Sequence, residues 1–443
     1  MATNLRWSDV LYYRCEPVLL KIENMPETIN LADKIKNQLP AELVSFLKQA
    51  GKTAADDGNR LCFVGGVVRN LLLGKSNLDI DLVVEGDAIT LSQKLAGEAA
   101  CNITVHKRFN TAKIDWHGWS IDIASARLES YARPGALPDV KPGSIEDDLL
   151  RRDFTINAMA VELSPQGYGR LIDLYSGQKD LGGGLIRVLH DKSFVDDSTR
   201  IWRGLRYEQR LDFGLDAETL HLLERDINKL DGISGDRIRY ELECILAEKY
   251  PERVLQRAAE LGLLAKLHPA LEGDSWLADV FARARKLSSP KKPPPALYMA
   301  LLAYNLDEEE KEQLISYLRL PKTIAQSIKD SSVIKSRLPK LTSGKLKKSA
   351  IYHLLRGYSS DALKASLIAA DSEAAHHNIQ LYLDKLRNIK PQLTGNNLLE
   401  MGIPQGPQIK ELLNKLLDAR LNGEVKTQKE EERLVREQYP KTL

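Results

Sequence analysis

Apolar and polar residues follow two different spacings along the chain. Short apolar runs with alternating polar positions recur in the first part, for example at 61–64, 78–84 and 119–126, and they predict β-strands. Beyond Leu246 the apolar residues recur at spacings of three and four, which predicts helices. The pattern therefore predicts an α/β domain followed by a nearly all-helical remainder.

The predicted elements of the first part surround a glycine pair, Gly65-Gly66. Two helical stretches precede it, the second over 40–55. A short strand leads into the glycines, a helix over 67–73 follows them, and a further helix is predicted over 89–100. Three alternating runs then predict an antiparallel meander at 103–109, 111–116 and 119–126.

The remaining pattern is dominated by helices. A loop with glycine and proline, 130–144, is too long for a simple connection, and the segment 151–161 passes from a helical pattern into an apolar strand. A long amphipathic helix is predicted over 196–211, with Ile201 and Leu205 on its buried side. Later helices are predicted over 252–263, 276–287, 296–304, 308–318, from Pro407 onward, and over 427–438.

The composition is typical of a soluble globular protein. Charged residues make up 28% of the 443-residue chain and hydrophobic residues 43%, with a net charge of +2. Any nucleic-acid surface must therefore be a local patch. The chain shows no secretory signal and no apolar span of about 18 residues, and its four cysteines lack metal or disulfide spacing. We expect a cytosolic protein with free thiols and no membrane partner.

A pair of aspartates on the second predicted strand is the main candidate for chemistry. Residues two apart on a strand point to the same face, so Asp79 and Asp81 stand side by side while Ile80 and Leu82 face a core. Two ionised carboxylates about 6–7 Å apart repel each other unless a cation lies between them. Mg²⁺ prefers oxygen ligands and is usually held by one or two carboxylates with substrate phosphates. The pair therefore predicts a magnesium site.

The glycine pair before this strand predicts a triphosphate substrate. A turn without Cβ atoms lets backbone N–H groups approach a phosphate, and the following helix points its positive end there. Arg69, one turn into that helix, can add a charge-assisted hydrogen bond. The segment Gly74-Lys75-Ser76 looks like the end of a P-loop, but that motif requires a glycine where Arg69 stands. We therefore exclude a P-loop.

The glycine pair, the arginine and the aspartate pair together resemble the DNA polymerase β-like nucleotidyltransferase superfamily. In the palm domain of that superfamily, a third carboxylate from a neighbouring strand completes the metal site. The resemblance makes Asp122, on the last run of the meander, the candidate for this role. Asp115, on the preceding run, is the alternative.

Four segments in order make the resemblance more specific. GGVVR at 65–69, DID at 79–81, RRDFTINAM at 151–159 and DDSTRIWR at 196–203 are similar to the motifs of class II tRNA nucleotidyltransferases, a family shared with bacterial poly(A) polymerases. The family implies an α/β nucleotidyltransferase palm with a small mixed or antiparallel sheet, followed by all-α neck, body and tail domains. The expected ranges are 1–59 for a helical lead-in, 60–165 for the palm, 166–232 for the neck, 233–330 for the body and 331–443 for the tail.

The resemblance also implies roles for individual residues. Asp79 and Asp81 would bind Mg²⁺ and act in catalysis together with Asp122. Gly66 and Arg69 would contact the incoming triphosphate. The other candidate nucleotide-binding residues are Arg152, Asp153, Asn157, Asp197, Arg200, Arg203 and Arg206.

Residues at three-residue spacing on the predicted long helix are candidates for recognising the base. Asp197 only accepts hydrogen bonds and Arg200 only donates them, so together they can complement one edge of cytosine or adenine without a nucleic-acid template. Arg203 and, less closely, Arg206 continue the same spacing. The alternative is a charged stripe on the solvated face of an amphipathic helix.

Two positions depart from the family motifs. Asp196 stands where the family commonly has Glu, and Asn70 stands where Asp is frequent. The first departure leaves the proposed base-reading pair intact but changes the contacts that support its helix.

A lysine-rich stretch of the predicted tail, 335–356, suits a contact with an RNA backbone. Its central members are Lys345, Lys347 and Lys348. The alternative for these lysines is an ordinary solvated face.

These patterns lead to one main hypothesis and two alternatives. The protein is expected to add CMP and AMP from CTP and ATP to the 3′ end of tRNA with Mg²⁺, as a monomer that needs no protein partner. The first alternative is an A-adding or CC-adding enzyme or a poly(A) polymerase, and the intact loop at 127–149 speaks against CC addition alone. The second is a non-catalytic RNA-binding protein on the same fold, which the presence of Asp79 and Asp81 disfavours.

Overall fold

The computed structural model describes residues 29–75, 79–99, 101–130, 139–343 and 345–438. The chain forms two compact units, Met1–Ile233 and Ser234–Leu443. Cys15 and the centre of the loop 130–144 lie outside the described residues. The three described cysteines are free thiols, as the sequence predicts. The finer division into palm, neck, body and tail stays a prediction.

The first unit mixes helices and strands. Its helices are α1 (Ala32–Gln38), α2 (Ala41–Asp56), α3 (Gly66–Leu73), α4 (Ala88–Ala99), α5 (Ile145–Leu150), α6 (Gly177–Gly183), α7 (Ser193–Asp196), α8 (Thr199–Leu211) and α9 (Ala217–Asp226). Its strands are β1 (Leu61–Val64), β2 (Asp79–Val84), β3 (Asn102–His106), β4 (Thr111–Trp116), β5 (Trp119–Ser125), β6 (Arg127–Ser130), β7 (Asp139–Pro142), β8 (Met159–Glu162), β9 (Leu171–Asp173), β10 (Leu185–Ile186) and β11 (Gly214–Leu215).

Within the described residues, seven of these strands form one mixed sheet in the order β3-β4-β5-β2-β1-β8-β9. β2 and β5 run parallel, and the other neighbouring strands run antiparallel. The predicted meander is confirmed as β3-β4-β5, except that Lys107–Phe109 form a 3-10 turn. The predicted neck range also carries short strands, because β9 joins this sheet and β10 pairs with β11.

The hairpin between β4 and β5 fixes which residues of β5 face each side. Trp116 pairs with Trp119 across a two-residue turn. The turn residues His117 and Gly118 both have positive φ, 47° and 83°. Such turns match the twist of antiparallel strands, so the turn length and the strand register are linked.

One face of the sheet forms the core of the first unit. Ile80 and Leu82 on β2 are buried, as are Ile121 and Ile123 on β5, and helices α2 and α4 pack against the sheet. Each such side chain contributes about 1.5–3 kcal/mol through burial. The predicted inward direction of Ile80 and Leu82 is confirmed.

The opposite face is covered over only part of its area. Val83 on β2 packs with Ile145 and Leu149 of α5, and α5 begins at a capping box between Ser144 and Asp147. At the start of β2, by contrast, two polar positions on this face are exposed. A polar patch is therefore left open at this end of the sheet.

The predicted long helix over 196–211 is wrong at its start. The chain forms the short helix α7, becomes extended at Asp197 with φ −142° and ψ 98°, and starts α8 only at Thr199. The cause is the Asp197 side chain, because its Oδ1 accepts hydrogen bonds from the Thr199 N–H at 3.0 Å and from the Thr199 hydroxyl at 2.7 Å. Such a side chain competes with the helical backbone pattern.

The described part of the second unit consists of helices and connecting segments. They are α10 (Gly235–Leu246), α11 (Pro251–Glu260), α12 (Ser275–Ser288), α13 (Pro295–Leu302), α14 (Glu308–Tyr317), α15 (Lys322–Leu341), α16 (Lys348–Leu355), α17 (Ser360–Ala369), α18 (Glu373–Asp384), α19 (Gly395–Glu400), α20 (Pro407–Asn422) and α21 (Gln428–Gln438). The helices predicted over 252–263, 276–287, 296–304, 308–318, from Pro407 onward and over 427–438 are confirmed to within three residues. Across the described ranges, no helix has the length and apolar character needed to cross a membrane.

The charged C-terminal helix α21 is anchored by a buried carboxylate. Glu431 is fully buried and accepts hydrogen bonds from Arg420 Nη1 at 2.6 Å and from the Leu393 N–H at 2.8 Å. A third bond, from the Gln392 N–H, reaches the same carboxylate at 2.9 Å. A charge that is both paired and hydrogen-bonded can be tolerated inside a protein.

Replacing Glu431 by Gln should destabilise this unit, because Arg420 loses its counter-ion while the shape of the side chain is kept. Hydrogen bonds to charged groups contribute about 1.5–3 kcal/mol, and we expect a loss of that order in the free energy of unfolding measured in urea. The control is Glu437→Gln, which breaks an exposed pair with Arg433 on the same helix and should cost at most about 0.5 kcal/mol. Equal losses in the two variants would contradict the anchoring role.

Candidate active site

The open end of the sheet brings three aspartates together. Asp79 and Asp81 are exposed on one face of β2. In the parallel pairing of β2 with β5, Asp81 lies directly opposite Asp122 and Asp79 opposite Ser120. Paired residues share a face of the sheet. Asp115 lies one strand further out, paired with Ser120 across β4 and β5, so Asp122 is the nearer of the two candidates for a third carboxylate.

The aspartates influence one another electrostatically. The surrounding protein removes part of the hydration of Asp81 and raises its pKa, Arg152 opposes this rise, and the charges of Asp122 and Asp79 add to it. The pKa of Asp122 is raised first by lost hydration and further by Asp79, although Lys113 lowers it. Like charges held this close favour either a bound proton or a bound cation.

The chemistry of these residues fits a magnesium ion that is shared with a substrate. Within the described ranges, no group of three or more His, Cys, Asp and Glu side chains is arranged to hold a metal ion by itself. Mg²⁺ does not require such a group, because it commonly takes one or two carboxylates and completes its shell with phosphate oxygens and water. Asp79 and Asp81 would supply those carboxylates, and a cation there would relieve the repulsion that raises the pKa of Asp81.

The glycine turn lies beside this patch and makes room for an arginine. Gly65 adopts φ 70°, a conformation that side chains other than glycine rarely accept. A Cβ atom there would lie 2.7 Å from Arg152 Nη1 and would push the end of that side chain away, so the backbone favours glycine at position 65 and the glycine leaves room for Arg152. At Gly66 a Cβ atom would make only an ordinary contact with Arg69. The packing of the protein itself therefore does not require a glycine at position 66.

Arg152 is held by a buried carboxylate that sequence reasoning missed. Asp148 is fully buried and accepts hydrogen bonds from Arg152 Nη2 at 2.8 Å and from Arg151 Nη2 at 2.5 Å. Arg151 also forms an ion pair with Glu129, and Glu129 forms a second ion pair with Arg127. The signal in the sequence was the spacing of three and four residues between Asp148 and the two arginines on one helical segment.

A buried polar network connects three segments that lie far apart in the sequence. Arg69 Nη1 donates to Asn157 Oδ1 at 2.6 Å, and Asn157 Nδ2 donates to Asp153 Oδ1 at 3.0 Å. Arg203 donates to Asp153 Oδ2 through Nε at 2.8 Å and Nη2 at 2.6 Å. Burial alone would raise the pKa of Asp153, but Arg203 and Asn157 outweigh it and lower the pKa to about 2. Asp153 is therefore ionised at any physiological pH.

The predicted base-reading residues are brought to the same region. Arg200 is buried, with Nη1 donating to Ser193 Oγ at 2.7 Å and Nη2 donating to the Arg151 carbonyl at 2.6 Å. Arg203 reaches Asp153, and Arg206 is also buried. Arg200 and Arg203 of α8 thus contact the segment 151–153. That Asp197 and Arg200 recognise a base stays a prediction.

An aromatic residue that sequence reasoning missed completes the surroundings of Arg69. The ring of Tyr207 on α8 lies 5.3 Å from the Arg69 guanidinium carbon and meets the ring of Phe154 edge-on at 6.0 Å. Tyr207 is itself buried. No periodic signal distinguished it from the other apolar residues of α8.

Two family models match the chain. The model described as "Poly A polymerase head domain" matches residues 61–187, and the model described as "Probable RNA and SrmB- binding site of polymerase A" matches residues 212–274. The A-adding tRNA nucleotidyltransferase of Halalkalibacterium halodurans is 33% identical over 87% of this chain and 90% of its own length. The chain belongs to the tRNA nucleotidyltransferase and poly(A) polymerase family.

Other similar proteins of this family differ in length. The A-adding tRNA nucleotidyltransferase of Geobacter sulfurreducens is 36% identical over 95% of this chain, but this chain spans only 50% of that relative. The solved structure of the Thermotoga maritima CCA-adding enzyme complexed with tRNA CCA matches with a TM-score of 0.74 and 30% identity, over 94% of this chain and 100% of that one. The family and the fold class predicted from the sequence are confirmed.

The electrostatics of the aspartates lead to a prediction about stability. The folded protein raises the pKa of Asp81, so the ionised carboxylate lowers the free energy of unfolding at pH values above that raised pKa. This loss of stability disappears as the pH falls below the pKa of the unfolded chain, about 3.9, because the carboxyl group is then protonated in both states. Asp81→Asn should therefore raise the unfolding temperature near pH 7, in buffer without divalent cations, and this gain should disappear towards about pH 3. The control is Asp139→Asn at an exposed position of β7. A lower unfolding temperature of Asp81→Asn at neutral pH would contradict the proposed repulsion between the aspartates.

Proposed function

We propose that the protein transfers nucleotides from triphosphates to the 3′ end of tRNA without a template. The observation that carries this proposal is the single polar patch at which Asp79, Asp81 and Asp122 share one face of the sheet. Beside this patch lie the Gly65 turn and Arg152. Carboxylates for a cation and arginines for phosphates are the two requirements of phosphoryl transfer.

The residues of the patch would have different roles in such a reaction. Asp79 and Asp81 would hold Mg²⁺, with Asp122 as a further oxygen donor next to Asp81. When bound, this ion lowers the pKa of an attacking 3′-hydroxyl and offsets the charge of the leaving pyrophosphate. Arg69 and Arg152 would orient the triphosphate, because a guanidinium binds phosphate oxygens through several N–H groups at once.

Recognition of the base is proposed for the start of α8. Cytosine and adenine both present an exocyclic amine beside a ring nitrogen acceptor, whereas uracil and guanine present a carbonyl beside an N–H. An acceptor on Asp197 and a donor on Arg200 complement the first pair and oppose the second. Sites built of buried polar groups discriminate strongly, since the wrong partner leaves them unpaired.

The proposal also concerns which nucleotides, and how many, are added to the tRNA. We propose addition of the terminal AMP as the main output, because both relatives from Geobacter sulfurreducens and Halalkalibacterium halodurans are A-adding enzymes. Addition of the complete CCA, as expected from the sequence, is the second candidate. It is favoured by the Asp197 and Arg200 pair, which suits CTP as well as ATP, and by the similarity to the Thermotoga maritima CCA-adding enzyme.

Contact with the tRNA backbone is proposed for the second unit. Lys345, Lys347 and Lys348 are exposed around the start of α16, where they can neutralise phosphates. All side chains proposed for the transfer itself come from one chain, so the proposal requires no protein partner.

The deciding experiment offers the purified protein three tRNAs, ending at the discriminator base, at C and at CC, each with CTP alone, ATP alone or both. Addition of one AMP only to the tRNA ending in CC supports A addition. Addition of CMP to the two shorter tRNAs supports full CCA synthesis, and long AMP tails on any RNA support poly(A) synthesis. Absence of transfer to every substrate with Mg²⁺ present would contradict the proposed function.

The three aspartates should contribute unequally to turnover. Asp79→Ala and Asp81→Ala each remove a proposed metal ligand and should lower kcat by about three orders of magnitude or more. Asp122→Ala should cause a large but smaller loss. Asp115→Ala is the matched control on the neighbouring strand and should lose the least. If Asp115→Ala were more damaging than Asp122→Ala, the assignment of the third carboxylate would be reversed.

An exchange at position 197 should change base selection. Asp197→Asn keeps an oxygen for Thr199 but replaces the second acceptor with a donor, so kcat/KM for ATP should fall, and with it kcat/KM for CTP in an enzyme that also adds CMP, while the rejection of UTP and GTP relaxes. The measurement is single-nucleotide incorporation with all four triphosphates. Asp196→Asn, one residue earlier, is the control and should keep the native order. An unchanged preference in Asp197→Asn would place specificity elsewhere.

A further inference from the structure

An exposed aromatic ring with two arginines beside it lies at the turn between β3 and β4. Phe109 is 36% exposed. The guanidinium carbon of Arg108 lies 5.3 Å from the centre of the Phe109 ring, and that of Arg127 lies 5.7 Å from it. Both distances are within the range of a cation–π interaction, about 6 Å. The proposed reaction so far assigns no role to these three residues, which we call the Phe109 cluster.

The two arginines of the cluster are held differently. Arg127 donates through Nε and Nη2 to Glu129 Oε1 at 3.0 and 2.8 Å, and the Glu129 side chain is only 6% exposed. Arg108 is instead an exposed residue of the turn, as is its neighbour Lys107. Arg127 is thus fixed near the ring, whereas Arg108 can turn away when another planar group approaches the ring.

Ion pairs connect the cluster with the residues proposed to bind the triphosphate. Arg127 and Arg151 both contact the same oxygen of Glu129, at 2.8 and 3.3 Å. Asp148 then accepts hydrogen bonds from Arg151 and Arg152. One network of buried carboxylates therefore holds both the cluster and the arginine beside the glycine turn. A ligand on the ring would have a defined position relative to a bound triphosphate.

The cluster also lies near the proposed catalytic carboxylates. Lys113 on β4 pairs with Asp122 on β5, and Phe109 precedes Lys113 by four residues. Four residues span at most about 14 Å. The ring is therefore within reach of the last few nucleotides of an RNA whose 3′ end lies at the carboxylates.

The strand order indicates the side of the site from which the RNA comes. The groups proposed for the triphosphate lie on the β1 side of β2, because the Gly65 turn follows β1 and Arg152 precedes β8. In phosphoryl transfer the attacking and leaving oxygens lie roughly in line, on opposite sides of the phosphorus. The attacking 3′-hydroxyl is therefore expected on the β5 side of β2. Strands β4 and β3 follow on that side, and the turn with Phe109 connects them.

The chemistry of the cluster favours a nucleotide as its ligand. Every base has a π-face that stacks on aromatic side chains, and an unpaired nucleotide leaves this face accessible. The adjoining phosphate is an anion that suits Arg108 and Lys107. An apolar protein surface would instead meet three charged side chains around a single ring.

We propose that the Phe109 cluster binds an unpaired nucleotide near the 3′ end of the RNA substrate, with the base on the ring and Arg108 turned to a phosphate. This inference rests on the proposed function, which supplies the RNA. It adds a contact with the unpaired part of the RNA that the residues for the metal and the triphosphate do not provide.

The test is Phe109→Ala, with the Kd measured for a tRNA ending in CC in the absence of nucleotides. The Kd should rise about tenfold, because the stacking interaction is lost. Phe109→Trp keeps a stacking ring and should bind like the native protein, whereas Phe109→Leu keeps only apolar bulk and should bind as weakly as Phe109→Ala. A tRNA shortened to a blunt acceptor end should bind equally to all four proteins.

Three results would overturn the inference. They are native affinity of Phe109→Ala for the tRNA ending in CC, native affinity of Phe109→Leu for it, and an equal loss of affinity for the blunt tRNA. The matched control is Leu174→Ala, which removes another exposed apolar side chain of the same unit, 53% exposed, and should leave the Kd unchanged.

The salt dependence of binding separates the ring from the arginine. The loss of affinity in Phe109→Ala should be the same at about 50 and 200 mM salt, because the ring carries no charge. Arg108→Ala should instead reduce the slope of log Kd against log salt concentration by about 0.7 to 1. An unchanged slope in Arg108→Ala would contradict the phosphate contact.

Failure of this inference and failure of the proposed function give different results. Transfer of nucleotides by the native protein, with an unchanged Kd in Phe109→Ala, would contradict the role of the cluster alone. A native protein that binds tRNA but transfers no nucleotide would contradict the proposed function, and the comparison of Kd values would still decide whether the ring contacts the RNA.

Discussion

One buried carboxylate, Asp153, links three segments of the candidate site that lie far apart in the sequence. It binds Arg203 of α8 with two hydrogen bonds and, through Asn157, reaches Arg69 of α3. These partners belong to elements that no local interaction would bring together. Removing the carboxylate would take this acceptor from the buried Asn157 amide, and a buried donor that loses its acceptor costs about 1–3 kcal/mol. The positions of Arg203 and, through Asn157, of Arg69 therefore depend on this one residue.

The rest of the site is shaped by what covers the sheet. Helix α5 packs over Val83 and leaves the start of β2 open, so that Asp79 and Asp81 reach solvent although the strand is otherwise buried. The same helical segment supplies Asp148, which orients Arg152 towards the Gly65 turn. The short helix α5 thus covers one side of the patch, and its Asp148 positions the Arg152 guanidinium on the other side.

Local features of the site could be predicted from the sequence, and long-range ones could not. The alternation of period two placed Asp79 and Asp81 on one face because strand geometry alone decides it. The partner of Arg203 lies 50 residues away and that of Arg69 lies 88 residues away, distances at which spacing carries no information. The break at Asp197 was missed because its side chain replaces a backbone hydrogen bond. That Asp122 lies directly opposite Asp81, while Asp115 lies one strand further out, follows from the strand register, which the sequence alone does not show.

The two-residue turn between β4 and β5 has a consequence for how this protein can change over evolution. Side chains alternate along a strand, so one residue inserted at His117-Gly118 would either be expelled as a bulge or shift β5 by one position. A shift would turn Asp122 into the hydrophobic interior and place Ile121 or Ile123 beside Asp81. Substitutions in this turn are therefore tolerable as long as its length is kept, whereas insertions and deletions there should be rare among functional descendants.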